Sequence, residues 1–241
     1  MKIGHFSDIH YAPETLEEVE RCMGNAVARA KAEGIEVAVI SGDATDHRLD
    51  VHSPAFIALA RRVHELSLHC PVLMLQGTYS HEPPGTLTVF GLIGGRFPVL
   101  VADRISQAAL MPDGSWLSSP GWRFESVPEG ARLLVSLLPS LNKAAVAAAV
   151  GAEEASEAVG NAVTAVLAGF ADINAEARSQ GVPTIGASHG TLNGCQTEHG
   201  VPMAGLDHEF TESSIFAAGC DAFMLGHIHK CQSWARPGQL I

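Results

Sequence analysis

The chain lacks the marks of membrane, secreted and redox proteins. No apolar run approaches the roughly 20 residues that a membrane-spanning helix needs. Residues Met1–Phe6 enter strand-like sequence directly and have no signal-peptide organisation. The five cysteines are odd in number and widely spread, with no Cys-x-x-Cys pair, which predicts reduced, mostly buried thiols. We therefore expect a cytoplasmic protein that makes no use of a membrane.

Positive charge is also scarce: 15 Lys and Arg against 26 Asp and Glu give a net charge of −11. Proteins that grip nucleic acid over a broad surface are usually basic, because phosphate contacts dominate their affinity. If this chain acts on nucleic acid, the attraction must come mainly from bound cations, or from a segment or partner that is absent here. The sequence ends at Ile241 within strand-like residues, so a missing C-terminal segment is expected.

The composition predicts a soluble globular protein. Apolar residues make up 46% of the chain and charged residues 17%, which argues against disorder. A chain of 241 residues is long enough to bury a substantial core. No linker or internal repeat interrupts the sequence, so residues 1–241 are interpreted as one domain.

Apolar runs alternate with amphipathic segments in the first third of the chain. Their spacing predicts strands over 2–7, 35–40 and 71–76, separated by helices over 14–32 and 54–68. Alternation of strand and helix at this rhythm indicates βαβ units and a largely parallel sheet. Ligands of such sheets bind beyond the carboxyl ends of the strands.

The pattern changes after residue 86. Short runs between Gly, Pro and Asp, beginning with Leu87–Phe90, predict antiparallel strands and hairpins over 86–127. One or two helices are expected over 142–180, with glycines as breaks or close-packing points. The remaining predicted elements are strands over 132–138, 182–187 and 222–225, a helix over 211–218, and a segment over 230–235 that returns antiparallel to the last strand.

Polar residues follow these strands. His227 and His229 stand at i and i+2 after an apolar strand, and Asp8 and His10 repeat that spacing after the first strand. In an extended chain this spacing places both side chains on one face. We expect all such residues to meet at one sheet edge. The full set is Asp8, His10, Asp43, His81, His189, His227 and His229.

Two carboxylates and several imidazoles at one edge suit a pair of divalent transition metals. Two cations close together need an anionic bridge, for which Asp43 is the natural candidate. Such a pair acidifies water and neutralises charge on a phosphoryl group. No convincing Ser/His/Asp or Cys/His arrangement for acyl transfer is found, so the residue types favour phosphoester hydrolysis.

Five motifs that follow one another along nearly the whole chain resemble motifs of the calcineurin-like metallophosphoesterases. Within that family the N-terminal Phe6–His10 and the segment from Phe210 to Lys230 look most like SbcD-type DNA repair nucleases. The resemblance implies a four-layer α/β/β/α sandwich and two divalent metal ions, manganese first, with iron, zinc or magnesium as alternatives. The motifs are Asp8-Ile9-His10, Gly42-Asp43-Ala44-Thr45-Asp46, Ser80-His81-Glu82, Ser188-His189-Gly190 and Gly226-His227-Ile228-His229.

The resemblance also implies a role for each motif residue. His81 would protonate or steer the leaving group, although its pairing partner stays open from sequence. The metal ligands carried over by motif are Asp8, His10 and His229 for one ion, His189 and His227 for the other, and Asp43 as the bridge.

The third motif departs from the family pattern. The family usually has Gly-Asn-His followed by Asp or Glu, with Asn as a ligand of the second metal. This chain has Gly77-Thr78-Tyr79-Ser80-His81-Glu82, which is two residues longer and contains no Asn. Ser80 or Thr78 can offer a weaker neutral oxygen, or water can fill the position. We therefore predict a weaker second metal site.

Three functions stay open. The first is a DNA exo- or endonuclease that hydrolyses phosphodiesters with an SbcC-type ATPase as partner, and a homodimer is compatible with it. The second is a small-molecule phosphoesterase acting on a nucleotide or phosphomonoester. The third is a catalytically weak metal-binding subunit.

Among other loop residues, Asp46 is interpreted as a turn residue and His199 as solvated, while His208 is solvated or contacts substrate.

Overall fold

A computed structural model describes residues 1–140, 155–203 and 209–241 and shows a mixed α/β protein. The helices are α1 (Leu16–Ala32), α2 (Pro54–His69), α3 (Ala155–Ser179) and α4 (Glu212–Ala217), with a 3-10 helix over Thr88–Leu92. The strands are β1 (Ile3–Phe6), β2 (Val37–Ile40), β3 (Val72–Leu75), β4 (Val99–Ala102), β5 (Ser106–Leu110), β6 (Trp116–Ser118), β7 (Leu133–Leu138), β8 (Thr184–His189), β9 (Thr191–Leu192), β10 (Glu209–Phe210), β11 (Ala222–Gly226), β12 (Ala235–Arg236) and β13 (Gln239–Leu240).

The first sheet contains β1–β4 in sequence order, and all of its strands are parallel. Helix α1 connects β1 to β2, and α2 connects β2 to β3, which confirms the βαβ units predicted from the sequence rhythm. Phe6 pairs with Ile40, so β1 and β2 end side by side. The loops that carry Asp8 and Asp43 therefore start at neighbouring points of one sheet edge.

The second sheet is mixed and has the order β12-β13-β11-β8-β7-β5-β6. Its central strands β7, β8 and β11 are parallel, and the hairpin β5–β6 and strand β12 add antiparallel pairs. Gly226 pairs with His189 at the end of the β8–β11 ladder. The second sheet thus delivers His189 and His227 to its carboxyl edge from adjacent strands.

Apolar side chains of the two sheets form one shared core cluster. Val39 and Leu73 of the first sheet belong to it together with Val135 and Ile185 of the second. The alternate residues of β2 and β3 pack instead with α1 and α2. On the other sheet, Phe223 of β11 packs with side chains of α3 and α4. Each sheet is therefore apolar on both faces, as expected for buried parallel strands.

The helix ends follow local rules. At α2, Ser53 accepts the backbone N–H of Phe56 and Pro54 occupies the first turn, as predicted. At α4, the Thr211 side chain accepts the N–H of Ser214. Gly169 of α3 approaches Trp122 so closely that a Cβ would lie 2.4 Å from the indole, which confirms it as a close-packing point.

Three sequence predictions are wrong in detail. The run Leu87–Phe90 lies mostly in the 3-10 helix and not in a strand. The Phe90 N–H donates to the Leu87 carbonyl, which is the i to i+3 hydrogen bond of such a helix. Strand β4 pairs parallel with β3 and not antiparallel, because the chain returns to the other end of the sheet before β4 begins. Residues 230–235 do not pair antiparallel with β11. The end of this segment belongs to β12, which pairs antiparallel with β13. Strand β13 in turn pairs parallel with β11.

The thiols fit the prediction: Cys70, Cys195 and Cys220 are buried, Cys22 and Cys231 are exposed, and all five are unpaired. Over the described ranges, no helix combines the length and apolarity required to cross a bilayer. The start of the helical prediction over 142–180, up to residue 154, and the interpretation of His208 both concern residues outside the described ranges.

Candidate metal centre

The predicted ligands lie where strands of both sheets end, and the backbone there is unusual. Asp8 and His10 have φ of 52°, Asp43 has 50° and His227 has 85°. Within the described ranges these four are the non-glycine residues with positive φ. Each such conformation costs on the order of 1–3 kcal/mol, and such strain concentrates at functional sites. The four residues are all members of the predicted ligand set.

The first two ligand loops run alongside each other beyond the sheet. The Asp8 N–H donates to the Gly42 carbonyl at 3.2 Å, and the His10 N–H donates to the Asp43 carbonyl at 3.0 Å. The Tyr11 N–H continues the ladder to Ala44 at 3.0 Å. Backbone pairing therefore fixes the relative positions of two loops that lie 35 residues apart in the chain, counted from Asp8 to Asp43.

Asp8, His10 and His229 form a first ligand group, with donor atoms within 4.8 Å of one another. The Asp8 carboxylate accepts the His227 N–H at 2.9 and 3.0 Å and also the Ser7 hydroxyl. Both His10 ring nitrogens are buried and make no hydrogen bond to the described residues. Nδ1 does lie 3.4 Å from an Asp46 carboxylate oxygen, a distance without hydrogen-bond geometry. Burying imidazole nitrogens without hydrogen bonds is costly, so the ring fits a ligand that the protein alone does not provide.

Asp43, His189 and His227 form a second group within the same limit. The Nε2 atom of His189 lies 3.1 Å from Asp43 Oδ2. Its Nδ1 atom lies 2.8 Å from the Ser41 carbonyl, an arrangement in which Nδ1–H donates and Nε2 faces Asp43. A cation that took the place of a proton between Nε2 and Asp43 Oδ2 would bind both atoms.

Asp43 and His189 each shift the pKa of the other toward its charged form. Burial alone would raise the pKa of Asp43, but the hydrogen bond and charge of His189 and the Thr78 N–H hold that pKa below its usual range. Burial would lower the pKa of His189, and Asp43 raises it above the usual range instead. Burial also lowers the pKa of His10, partly offset by Asp43. A negative potential at Asp43 therefore attracts positive charge into this group.

Thr78 lies beside the second ligand group. Its N–H donates to Asp43 Oδ1 at 2.7 Å, and its hydroxyl lies 3.2 Å from both Asp43 Oδ2 and His189 Nε2. Ser80, the other residue considered for this place, is exposed. The neutral oxygen beside the second group therefore comes from Thr78.

His81 faces a partner that sequence left open. Its Nδ1 atom makes a short contact with the Asp46 carbonyl oxygen and lies 4.0 Å from Asp46 Oδ1. The same carboxylate oxygen lies 3.4 Å from His10 Nδ1, and the His10 and His81 ring centroids are 4.8 Å apart. The backbone N–H of Asp46 donates to the Tyr11 carbonyl at 3.2 Å, which is a bond between two loops and not the local turn bond predicted for Asp46. The Asp46 side chain lines the cavity and forms a group of possible metal ligands with His10 and His81.

Glycines and one buried carboxylate hold the loops together. A Cβ on Gly77 would lie 2.2 Å from Asp43, and one on Gly226 would lie 2.6 Å from His189 Nδ1. The Glu82 carboxylate accepts the N–H groups of Ala44 and Gly77, each at 2.6 Å. Burial raises the pKa of Glu82 to about 7 although these N–H groups lower it. Glu82 thus ties the Asp43 loop to the third motif.

The i, i+2 spacing does not describe how His227 and His229 are arranged. Strand β11 ends at Gly226, and the positive φ of His227 turns the chain out of the extended form. His227 consequently joins the second group, whereas His229 joins the first. Spacing along an assumed strand predicts one face and cannot show this division.

All these groups open on one cavity of about 370 Å³. Its described lining residues are His10, Asp43, Asp46, His81, Thr197, Glu198, Met203, His227 and His229. The loop residues Thr197, Glu198 and Met203 were not predicted as site residues from sequence, since none forms a motif with its neighbours.

The donor set fits divalent transition cations, because imidazole nitrogen and carboxylate oxygen are their preferred ligands. The unpartnered His10 nitrogens and the close approach of Asp43 to His189 point the same way. Comparison with known protein-family models gives no match for this chain, and comparison with curated protein sequences gives none either. The resemblance to the calcineurin-like metallophosphoesterases therefore stays a prediction from the five sequence motifs.

Proposed function

We propose that this chain is a metal-dependent phosphoesterase that holds two divalent cations, manganese first among them. One observation carries the proposal: residues from four strand ends form two three-residue groups of possible ligands, and members of both groups line a single cavity. The groups are Asp8, His10 and His229, and Asp43, His189 and His227. A third group, His10 with Asp46 and His81, shares His10 with the first. Two nearby cations, when bound, acidify water and neutralise charge on a phosphoryl group.

The protein's own residues would position and protonate the substrate. His81 lines the cavity and keeps its Nδ1 against the Asp46 carbonyl, which orients the ring and leaves Nε2 for the leaving oxygen. The Asp46 carboxylate places a negative charge 4.0 Å from His81 Nδ1. Proton donation of this kind contributes typically 10²- to 10⁴-fold to a rate.

The architecture that goes with this function is a four-layer α/β/β/α sandwich. Its support is the pattern of core clusters: α1 and α2 against the first sheet, both sheets sharing one cluster, and α3 and α4 against the second sheet. In that arrangement the carboxyl ends of both sheets face one edge, where the ligands lie.

A phosphodiester is the favoured substrate, and DNA the favoured polymer, with an SbcC-type ATPase as the proposed partner. The alternative is a nucleotide or phosphomonoester. The described residues lining the cavity include no Lys or Arg. Such a site has few groups besides the cations to balance a second negative charge on a terminal phosphate, which favours the diester.

The test is manganese-dependent hydrolysis of bis(p-nitrophenyl) phosphate against p-nitrophenyl phosphate. We expect preference for the diester, with His81→Ala lowering kcat by about 10²-fold or more. As a matched control, His64→Ala removes a histidine that contacts Ile93 on the surface of α2 and should leave kcat unchanged. Monoester preference would support the small-molecule alternative. No turnover of either ester would refute catalysis and leave a metal-binding subunit, which the substitution of Thr78 for Asn already favours.

A further inference from the structure

We infer that the hairpin Cys195–Met203 sets substrate specificity, with Glu198 disfavouring phosphate groups that carry two negative charges. This inference rests on the proposed function, since it concerns the same cavity. It adds discrimination between substrates by their charge, through a residue that lies outside the five motifs.

The hairpin is a formed element with a defined place. Gln196 and Pro202 form an antiparallel bridge, and the Thr197 N–H donates to the Val201 carbonyl at 2.8 Å. The Met203 N–H returns to Cys195 at 2.9 Å, and Cys195 is fully buried. A buried root and a closed pair of strands hold the tip in one position relative to the cavity.

Side chains that follow the last ligand anchor this hairpin. The Gln232 side chain accepts the Gln196 N–H at 3.1 Å and donates to the Gln196 carbonyl at 2.9 Å. The Lys230 ammonium donates to Gln196 Oε1 at 2.7 Å. Lys230 directly follows His229, so the hairpin is tied to the segment that supplies a ligand of the first group.

The hairpin contributes one face of the cavity. Thr197, Glu198 and Met203 line it opposite the ligand groups. Thr197 and Met203 are half-buried and give a weakly polar wall suited to the second ester substituent of a diester. Glu198 is the only charged member of this wall among the described residues.

Glu198 adds negative charge at the entrance. Its carboxylate lies 3.4 Å from His199 Nε2, but both side chains are more than half exposed, so this contact neutralises it little. A phosphomonoester carries close to two negative charges above pH 7, whereas a diester carries one. Repulsion by Glu198 therefore penalises the monoester more than the diester. Because water also screens this repulsion, the difference in rate should be a few-fold and no larger.

The test compares Glu198→Gln and Glu198→Lys with the wild-type protein at pH 8 in manganese. For Glu198→Gln we expect kcat/KM for p-nitrophenyl phosphate to rise about 3- to 5-fold relative to that for bis(p-nitrophenyl) phosphate, and more for Glu198→Lys. Glu129→Gln is the matched control. Glu129 is exposed in the turn before β7, at the opposite end of the strands, and should not change the ratio.

Calorimetric titration with inorganic phosphate separates this inference from the proposed function. We expect Glu198→Gln to tighten phosphate binding to the manganese-loaded protein whether or not either ester is hydrolysed. Turnover by the wild-type protein, with ester ratio and phosphate affinity unchanged in both Glu198 variants, would overturn the inference alone. Tighter phosphate binding in a protein without turnover would support the inference and refute the proposed function.

Discussion

At the scale of single residues, the site depends on backbone conformations that most side chains avoid. Asp8, His10, Asp43 and His227 all lie in the left-handed region, and each is held there by contacts of its loop. The backbone of His227, for example, donates to the Asp8 carboxylate. One ligand thus fixes the strained conformation of another, which is how such strain persists in a folded protein.

Thr78 is the residue with which the prediction of a weaker second metal site can be tested. We expect metal-free wild-type protein to bind one manganese ion tightly and a second more weakly, because a hydroxyl replaces the amide oxygen of the usual Asn. Thr78→Asn should tighten the second site by about 10-fold, in the range typical of groups that support a metal site. Calorimetric titration with manganese measures both constants.

Ser80→Asn provides the control for this experiment. Ser80 belongs to the same motif but is exposed, so its substitution should leave both affinities unchanged. Two equally tight sites in the wild-type protein would contradict the prediction. An equal gain from Ser80→Asn would show that Thr78 has no special position.

At the scale of elements, the candidate ligands lie on loops that are fixed by hydrogen bonds to one another. The loops after β1 and β2 extend the parallel ladder by backbone hydrogen bonds. The loop after β3 is fixed differently, through Glu82, whose two carboxylate oxygens accept N–H groups from two separate loops. The third motif is two residues longer than the family pattern, yet this clamp still places Thr78 against Asp43.

Glu82→Gln should therefore destabilise the loops. The amide can accept only one of the two N–H groups and turns a donor toward the other, which leaves a buried group unsatisfied. We expect the free energy of unfolding to fall by about 1–3 kcal/mol at pH 8, where the carboxylate is ionised. Chemical denaturation of the metal-free protein measures this change.

Glu129→Gln is again the reference, because an exposed substitution of this kind usually changes stability by less than about 0.5 kcal/mol. If Glu82→Gln matched that reference, the hydrogen bonds of Glu82 would not stabilise the loops, and another contact would have to place Thr78.

At the scale of the whole molecule, the candidate centre joins the two sheets. Asp8 and Asp43 follow strands of the first sheet, whereas His189 and His227 come from strands of the second. The His189 ring also bonds to Ser41 across this junction. Ions bound between these groups would cross-link the sheets at the edge where the core cluster ends, so metal binding and folding are coupled.

Metal binding should consequently raise the melting temperature. At a manganese concentration of about 100 times Kd the gain is about 2.7 kcal/mol, or roughly 5–10 °C for a chain of this size. A chelator should reverse the shift, and Asp43→Asn should abolish most of it. Asp113→Asn, which alters an exposed turn between β5 and β6, should retain it in full. Thermal denaturation with and without manganese would refute the cross-link if wild-type protein showed no shift.

Sequence patterns predicted much of the fold because local rules decide it. Apolar runs, caps and glycines located β1–β3, α1 and α2 close to their observed bounds. They also predicted antiparallel hairpins in the region that contains β5 and β6. They failed for Leu87–Phe90, because a short apolar run can be half-buried in either a strand or a single helical turn. They also failed for residues 230–235, since strand pairing partners depend on the rest of the sheet and not on the segment itself.

The residue types of the candidate centre follow from the sequence alone: carboxylates and imidazoles after apolar strands indicate a metal site wherever parallel strands end together. Only the tertiary structure decided how they divide. His227 and His229 separate into two groups because the backbone turns at His227, and Asp46, Thr78 and Glu198 reach the cavity through loops with no periodic pattern. Local sequence specifies which side chains are available, whereas distances between loops from different strands are set by how the sheets pack.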